Sequence, residues 1–75
     1  MSARPVKRSL TLKGHRTSVS LEDAFWREFR DIAARRGMAI NALAAEIDAS
    51  RDLETGLASA IRLFVLMDLK AQLQG

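Results

Sequence analysis

The residues with the clearest chemistry lie in the first 20 positions, where basic side chains accumulate without any acidic counterpart. They are Arg4, Lys7, Arg8, Lys13 and Arg16, whereas residues 21–75 hold seven basic and nine acidic residues. A segment that concentrates positive charge in this way is typical of a protein that contacts a polyanion, either a nucleic acid or an anionic membrane surface. A solvated basic tail without a partner is the alternative interpretation.

A β-strand is predicted over residues 15–21, HRTSVSL, because polar and apolar side chains alternate there. One face of this strand carries Arg16, Ser18 and Ser20. The alternation alone leaves open what this polar face contacts, and a solvated strand surface is one interpretation.

Three helices are predicted after the strand, over residues 22–36, 39–50 and 56–73. The first two carry apolar residues at helical spacing, and Gly37 ends the first because glycine adopts the left-handed conformation that closes a helix. The third is apolar nearly all round, which is typical of a helix buried on two sides. The order is therefore strand, helix, helix and an additional helix.

The residues before the strand leave two alternatives open. Residues 1–5 are expected to be a flexible tail, and VKRSLTL in residues 6–13 alternates weakly before Gly14, which permits a turn. Residues 6–13 could form an additional strand that pairs with residues 15–21 as a hairpin. They could also be a basic arm that becomes ordered only on a ligand.

A second copy of the chain is the expected source of additional stability. A chain of 75 residues has a small core, and it contains no cysteine for a disulfide. The backbone of a single strand needs a partner, which the same strand of a second copy would supply about a two-fold axis. The core of this dimer is expected to contain Thr17, Val19, Leu21, Phe25, Trp26, Phe29, Ile32, Ile40, Leu43, Ile47, Ile61 and Phe64.

The run RTSVSLEDAFWREFRDIAARRGMAINALAAEID resembles the ribbon-helix-helix family of DNA-binding proteins. Together with VKRSLTL before it and LASAIRLFVL after it, the pattern is similar to a bacterial form of the domain with an extra C-terminal helix. The resemblance implies a mainly α fold with one β-strand per chain. It also implies an intertwined dimer whose two-stranded antiparallel ribbon enters the major groove of DNA.

The same resemblance implies which residues contact DNA. Base contacts fall on the polar strand face, at Arg16, Ser18 and Ser20. The family also binds a DNA phosphate through backbone N–H groups at the start of the second helix, here Ala39, Ile40 and Asn41. The family often has serine or threonine as the cap where this chain has Ala39, and Asn41 could instead satisfy its own backbone. Further phosphate contacts are expected at Lys7, Arg8 and Lys13.

The leading functional hypothesis is a homodimeric, cytoplasmic regulator of transcription, a repressor or autoregulator, that binds double-stranded DNA. One alternative is a protein-interaction or assembly module that has the fold without binding DNA. Another is the antitoxin of a toxin–antitoxin pair. A protein partner is expected to bind through the third helix, although residues 56–73 are too apolar to resemble a disordered toxin-binding tail.

Other classes of function are not expected. The sequence has no cysteine nucleophile, no glycine-rich phosphate loop and no acid pair in an evident pocket, so an enzyme is not predicted. His15 is the single histidine and cannot form a metal site alone, so neither a metal nor a cofactor is expected. The apolar run LASAIRLFVLMDL is interrupted by Arg62 and Asp68, which argues against a membrane span.

Overall fold

The computed structural model describes residues 3–75 and contains a β-hairpin followed by three α-helices. The strands are β1 (Val6–Leu12) and β2 (His15–Leu21), and the helices are α1 (Asp23–Arg35), α2 (Ile40–Ser50) and α3 (Leu57–Gln74). The predicted order of a ribbon, two helices and an additional C-terminal helix is confirmed. Residues 1 and 2 of the expected tail lie outside the described residues.

The two strands of the ribbon come from the same chain. They pair antiparallel, from Val6 opposite Leu21 to Leu12 opposite His15. The turn residues Lys13 and Gly14 have φ values of 52° and 83°, and two positive φ angles in succession give the tight type I′ turn that matches the twist of paired strands. Of the two alternatives for residues 6–13, the structure shows the strand that pairs with residues 15–21 as a hairpin, so the chain has two strands where the resemblance implied one.

The core lies between the inner face of the hairpin and the three helices. The side chains that are buried there are Leu10, Leu12, Val19, Leu21, Phe29, Ile32, Ala33, Leu43, Ala44, Ile47, Ala60, Ile61 and Val65. Four other expected core residues, Phe25, Trp26, Ile40 and Phe64, are partly buried and pack against this cluster. Both strands therefore contribute to the core.

Thr17 is an exception among the expected core residues, because its side chain is exposed. Its place in the alternation of β2 is on the inner face, but it lies toward the turn of the hairpin. There a surface cleft, also lined by Ala45, Ala49 and Leu57, opens between β2 and the helices. The helices do not cover Thr17, so the strand alternation alone gave the wrong environment.

The end of α1 determines how α2 returns across the core. Gly37 adopts a φ of 66°, and its N–H donates to the carbonyl of Ala34 at 3.1 Å. The N–H of Met38 donates to the carbonyl of Ala33 at 2.9 Å. These two bonds form a Schellman motif, which satisfies the last carbonyls of α1 and turns the chain directly into α2.

Two charged side chains fasten α3 to opposite ends of α1. The guanidinium of Arg62 donates to Oε1 of Glu22 at 2.9 and 2.8 Å and to the carbonyl of Ser20 at 3.1 Å. The carboxylate of Asp68 accepts from Arg35 and Arg36, each at 3.1 Å. The helix is thereby held along one side.

The pKa values of both carboxyl groups in these contacts are lowered. The pKa of Glu22 is lowered by a hydrogen bond from its own backbone N–H and then by the bond from Arg62. Burial raises the pKa of Asp68, but the hydrogen bonds from Arg35, Gln72 and Arg36 outweigh this effect and lower the pKa overall. Both side chains are therefore held in the charged form.

Candidate nucleic-acid interface

The outer face of the hairpin consists of the side chains that point away from the helices. It contains Lys7, Ser9 and Thr11 from β1 and Arg16, Ser18 and Ser20 from β2. All six residues are exposed. The register places them opposite one another in three pairs, so the two rows form one continuous surface.

The three residues predicted to contact bases lie together in one row of the outer face. Arg16, Ser18 and Ser20 follow one another along β2 with every second side chain outward. At about 3.4 Å per residue, such a row is about 14 Å long, which matches about four base pairs of DNA. The row is therefore of a size to contact a short DNA sequence.

The charge on and around the outer face is positive throughout. Lys7 and Arg16 lie at opposite corners of the face, Lys13 lies in the turn, and no acidic residue occurs before Glu22. Within residues 3–75, Lys7, Lys13 and Arg16 make no ion pair with a carboxylate. Their charges are thus available to a polyanion outside the chain.

Arg8 does not belong to the outer face, although the sequence predicts a phosphate contact for it. Its place opposite Val19 directs its side chain to the inner face. There the guanidinium approaches Asp23 at 3.4 Å and lies over the ring of Trp26, 5.4 Å from the ring centre. Only 19% of the side chain is exposed. The prediction for Arg8 is therefore corrected: strand alternation turns it inward, where Asp23 and Trp26 hold it.

The start of α2 lies beside the edge of β1. Oδ1 of Asn41 accepts a hydrogen bond from the backbone N–H of Thr11 at 3.0 Å. The first residues of a helix have N–H groups without partners inside the helix, and no side chain caps those of α2, whose N-cap is Ala39. The backbone N–H groups at Ile40 and Asn41 thus lie near the hairpin, where they can donate hydrogen bonds to an anion.

Sequence reasoning missed two features of this interface. The outward direction of Ser9 and Thr11 followed from the alternation of VKRSLTL, but their places opposite Ser18 and Arg16 depended on the register. The bond from Thr11 to Asn41 joins residues 30 positions apart. The dipeptide Lys13–Gly14 between two alternating runs was the signal that could have favoured the hairpin over the alternative of a basic arm.

Two other kinds of site are absent from the described part of the chain. Among residues 3–75, no group of three or more histidine, aspartate or glutamate side chains could hold a metal ion. In the same range, no helix is long and apolar enough to cross a membrane.

Comparison with known proteins identifies a domain family. The sequence model of the ribbon-helix-helix domain matches residues 5–69, which include the whole hairpin, α1, α2 and most of α3. The resemblance in the sequence is thereby confirmed. No curated protein and no solved structure matches the chain.

Proposed function

Because the chain belongs to the ribbon-helix-helix domain family, whose members typically bind DNA in regulators, we propose that it is a sequence-specific DNA-binding regulator of transcription. It acts as a repressor or autoregulator in the bacterial cytoplasm. It has no part in catalysis. Its action is occupancy, since a protein bound at a promoter excludes other proteins from the same DNA.

The observation that carries this proposal is the outer face of the hairpin. It is exposed, free of acidic residues and flanked by Lys7 and Arg16, which have no carboxylate partner within residues 3–75. The major groove of B-DNA, about 12 Å wide, admits a two-stranded β-ribbon. The shape and charge of this face therefore both favour the groove.

In the proposed complex, different groups contact bases and phosphates. Arg16 donates to O6 and N7 of a guanine, and the hydroxyls of Ser18 and Ser20 contact neighbouring base edges. Phosphates on either side of the groove are bound by Lys7 and Lys13 and by the backbone N–H groups at Ala39, Ile40 and Asn41. The base contacts determine sequence preference, whereas the phosphate contacts supply affinity that depends on salt.

The proposed regulator is a homodimer, as members of the family typically are. The strand does not support this proposal, because β1 already pairs with β2. The support comes from α3, whose outer side exposes 57% of Leu63, 51% of Leu66 and 64% of Met67. A second copy that covers these side chains would remove apolar surface from water.

The same apolar side of α3 favours a second candidate function, a module that binds another protein, such as a toxin. Sedimentation of the purified chain at micromolar concentration separates the two possibilities. A dimer is expected, and Leu66→Glu should convert it to a folded monomer. A wild-type monomer whose α3 surface stays free would favour the second function.

The test of DNA binding compares two arginines. A preferred site is selected from a random duplex pool, and Arg16→Ala is titrated against this site and a scrambled duplex at several salt concentrations. The substitution should weaken binding to the preferred site by about 1–3 kcal/mol and relax the sequence preference. Arg30→Ala is the control, because Arg30 is an exposed arginine on α1 without an ion pair in residues 3–75.

Each contrary result has a defined meaning. A wild-type protein that binds no duplex, even at low salt, would overturn the proposed function. Equal weakening of both duplexes by Arg16→Ala would show that Arg16 contacts a phosphate and that the outer face of β2 does not select the sequence.

A further inference from the structure

The surface cleft between β2 and the helices, beside Thr17, has the size of a small-molecule site. Its volume is about 460 Å³, and ligand pockets in proteins have about 300–1,000 Å³. Its apolar lining consists of Leu12 from β1, Ala45 and Ala49 from α2, and Leu57 from α3. The two alanines lie one turn apart on the same side of α2, so their small side chains leave space beside the hairpin.

The charged lining of the same cleft is mainly positive. Lys13 and Arg16 line it from the hairpin, and Arg51 lines it from the end of α2. Asp48 is the one carboxylate among the described residues of this lining, and it already accepts from Nε of Arg51 at 2.8 Å. Lys13 and Arg16 make no ion pair within residues 3–75. The cleft therefore offers positive charge beside an apolar surface.

Arg51 is held in place and still has a free donor. Its Nε donates to Asp48, and its Nη1 donates to the carbonyl of Thr55 at 2.7 Å. Within residues 3–75, neither its Nη2 nor the hydroxyl of Thr17 has a hydrogen-bond partner. A planar guanidinium is suited to a carboxylate. Because two nitrogens of Arg51 are already bound, its side chain loses little conformational freedom when Nη2 binds a ligand.

From these observations we infer that the cleft binds a small organic carboxylate with an apolar body and that this ligand weakens DNA binding. The apolar body lies against the alanines and leucines of the lining, and the carboxylate accepts from Arg51 and Lys13. A DNA phosphate has no apolar part to cover this lining. The effect on DNA rests on the proposed function: Lys13 and Arg16 are proposed DNA contacts, so a carboxylate beside them competes with DNA for the same positive charge.

The test of the site uses benzoate as the probe and benzyl alcohol as its uncharged counterpart, without DNA. The ring of bound benzoate should shift the NMR signals of the alanine methyl groups at positions 45 and 49. It should leave the methyl signal of Ala42 unchanged, because Ala42 is exposed on α2 outside the cleft. A dissociation constant on the order of 1 mM is expected for so small a ligand. Benzyl alcohol should bind about tenfold more weakly, since it lacks the charge-assisted hydrogen bonds.

Two pairs of variants test the two parts of the site. Ala49→Leu fills the cleft and should abolish the shift of Ala45, whereas Ala42→Leu makes the same change outside the cleft and should leave it. Lys13→Gln should weaken benzoate binding about twofold to fivefold, as expected for an exposed ion pair, and Lys70→Gln on α3 should not change it. All four positions are exposed, and melting temperatures close to that of the wild type would show that the variants are folded.

The effect on DNA is measured on the preferred duplex, with chloride at equal ionic strength as the reference salt. Benzoate should displace the wild type more than chloride does, and Ala49→Leu should respond to both salts alike.

The results separate this inference from the proposed function. Unshifted methyl signals at Ala45 and Ala49, or equally strong binding of benzyl alcohol, would overturn the carboxylate site. If benzoate binds in the cleft but displaces DNA no more than chloride does, the inferred effect on DNA is wrong. A wild type that binds no duplex would overturn the proposed function and this effect, whereas methyl shifts at Ala45 and Ala49 would still support the site.

Discussion

The outer face of the hairpin and the helical side of the molecule differ in whether their basic side chains have carboxylate partners. On the helical side, most arginines lie beside a carboxylate: Arg27, Arg35, Arg36, Arg51 and Arg62 each make an ion pair. In the hairpin, Lys7, Lys13 and Arg16 make none within the described residues 3–75. The first group stabilises the fold, and the second group remains available to an external anion.

Arg8 shows that the position of a cation decides between these two roles. It belongs to the basic hairpin by sequence, but its side chain lies on the inner face beside Asp23 and Trp26. Its neighbour Lys7 points outward and is exposed. The count of basic residues therefore overstates the positive charge on the outer face, because alternation directs Arg8 into the molecule.

The largest expected effect on stability comes from placing a carboxylate on the inner face of the hairpin, and the same group on the outer face is the comparison. Val19→Asp places a carboxylate where the side chain is 5% exposed, and it should reduce the free energy of unfolding by about 4 kcal/mol or more. Ser18→Asp makes the same change one residue earlier on the outer face. It should alter stability by no more than about 0.5 kcal/mol. It should nevertheless abolish DNA binding, because it puts a negative charge into a groove that lies between two rows of phosphates.

Urea denaturation followed by circular dichroism measures the free energy of unfolding of both variants. A Val19→Asp protein as stable as the wild type would show that the two faces have been assigned the wrong way round.

A smaller effect is expected on the helical side. Asp68→Asn removes the charge that accepts from Arg35 and Arg36, and it should lower the free energy of unfolding by about 1 kcal/mol, since both arginines are half-exposed and solvent screens the interaction. Asp31→Asn is the control, because Asp31 is exposed on α1 and makes no ion pair in residues 3–75. Neither substitution should reduce the salt dependence of DNA binding; a marked change for Asp68→Asn would contradict the separation of the two regions.

Acid should weaken the same contacts. The pKa values of Asp68 and Glu22 are lowered in the folded chain. Their contribution to stability is therefore fully present above the unfolded pKa values, about 4, and is lost as the pH falls through the lower folded values. The free energy of unfolding, measured in urea at intervals from pH 6 to about pH 2, should fall over the acid end of this range. The free energy of unfolding of Asp68→Asn should fall less over the same range. If its dependence on pH ran parallel to that of the wild type, the carboxylate of Asp68 would not contribute the acid-sensitive stability.

The smallest effect on stability is expected in the hairpin. Lys7→Ala should change the free energy of unfolding by less than about 0.5 kcal/mol, while it lowers the salt dependence of DNA binding by about one unit of slope for each phosphate that Lys7 neutralises in the wild type. Lys70→Ala removes the same charge from α3, where Lys70 is also exposed, and should leave the slope unchanged. If DNA binding by Lys7→Ala and by the wild type depended equally on salt, Lys7 would be a solvated side chain that contacts no phosphate.

Local periodicity in the sequence was enough to predict which side chains share a face of a strand or helix. The alternation in HRTSVSL placed Val19 and Leu21 in the core and Arg16, Ser18 and Ser20 outside, and the helical spacing identified Phe29, Ile32, Leu43 and Ile47 as buried residues. The same patterns carried the resemblance to the family. Periodicity is reliable here because side-chain direction is a property of the backbone geometry within each element.

Which elements cover these faces followed from the packing of the folded chain and not from local patterns. The partner of β2 depended on the turn at Lys13 and Gly14, the exposure of Thr17 depended on where the helices end, and the contact of Arg62 with Glu22 joined residues 40 positions apart. Local patterns state which side chains share a face, but the packing of distant elements decides what that face touches. For this reason the sequence predicted DNA contacts for β2 alone, whereas the register of the hairpin placed Ser9 and Thr11 of β1 on the same exposed face.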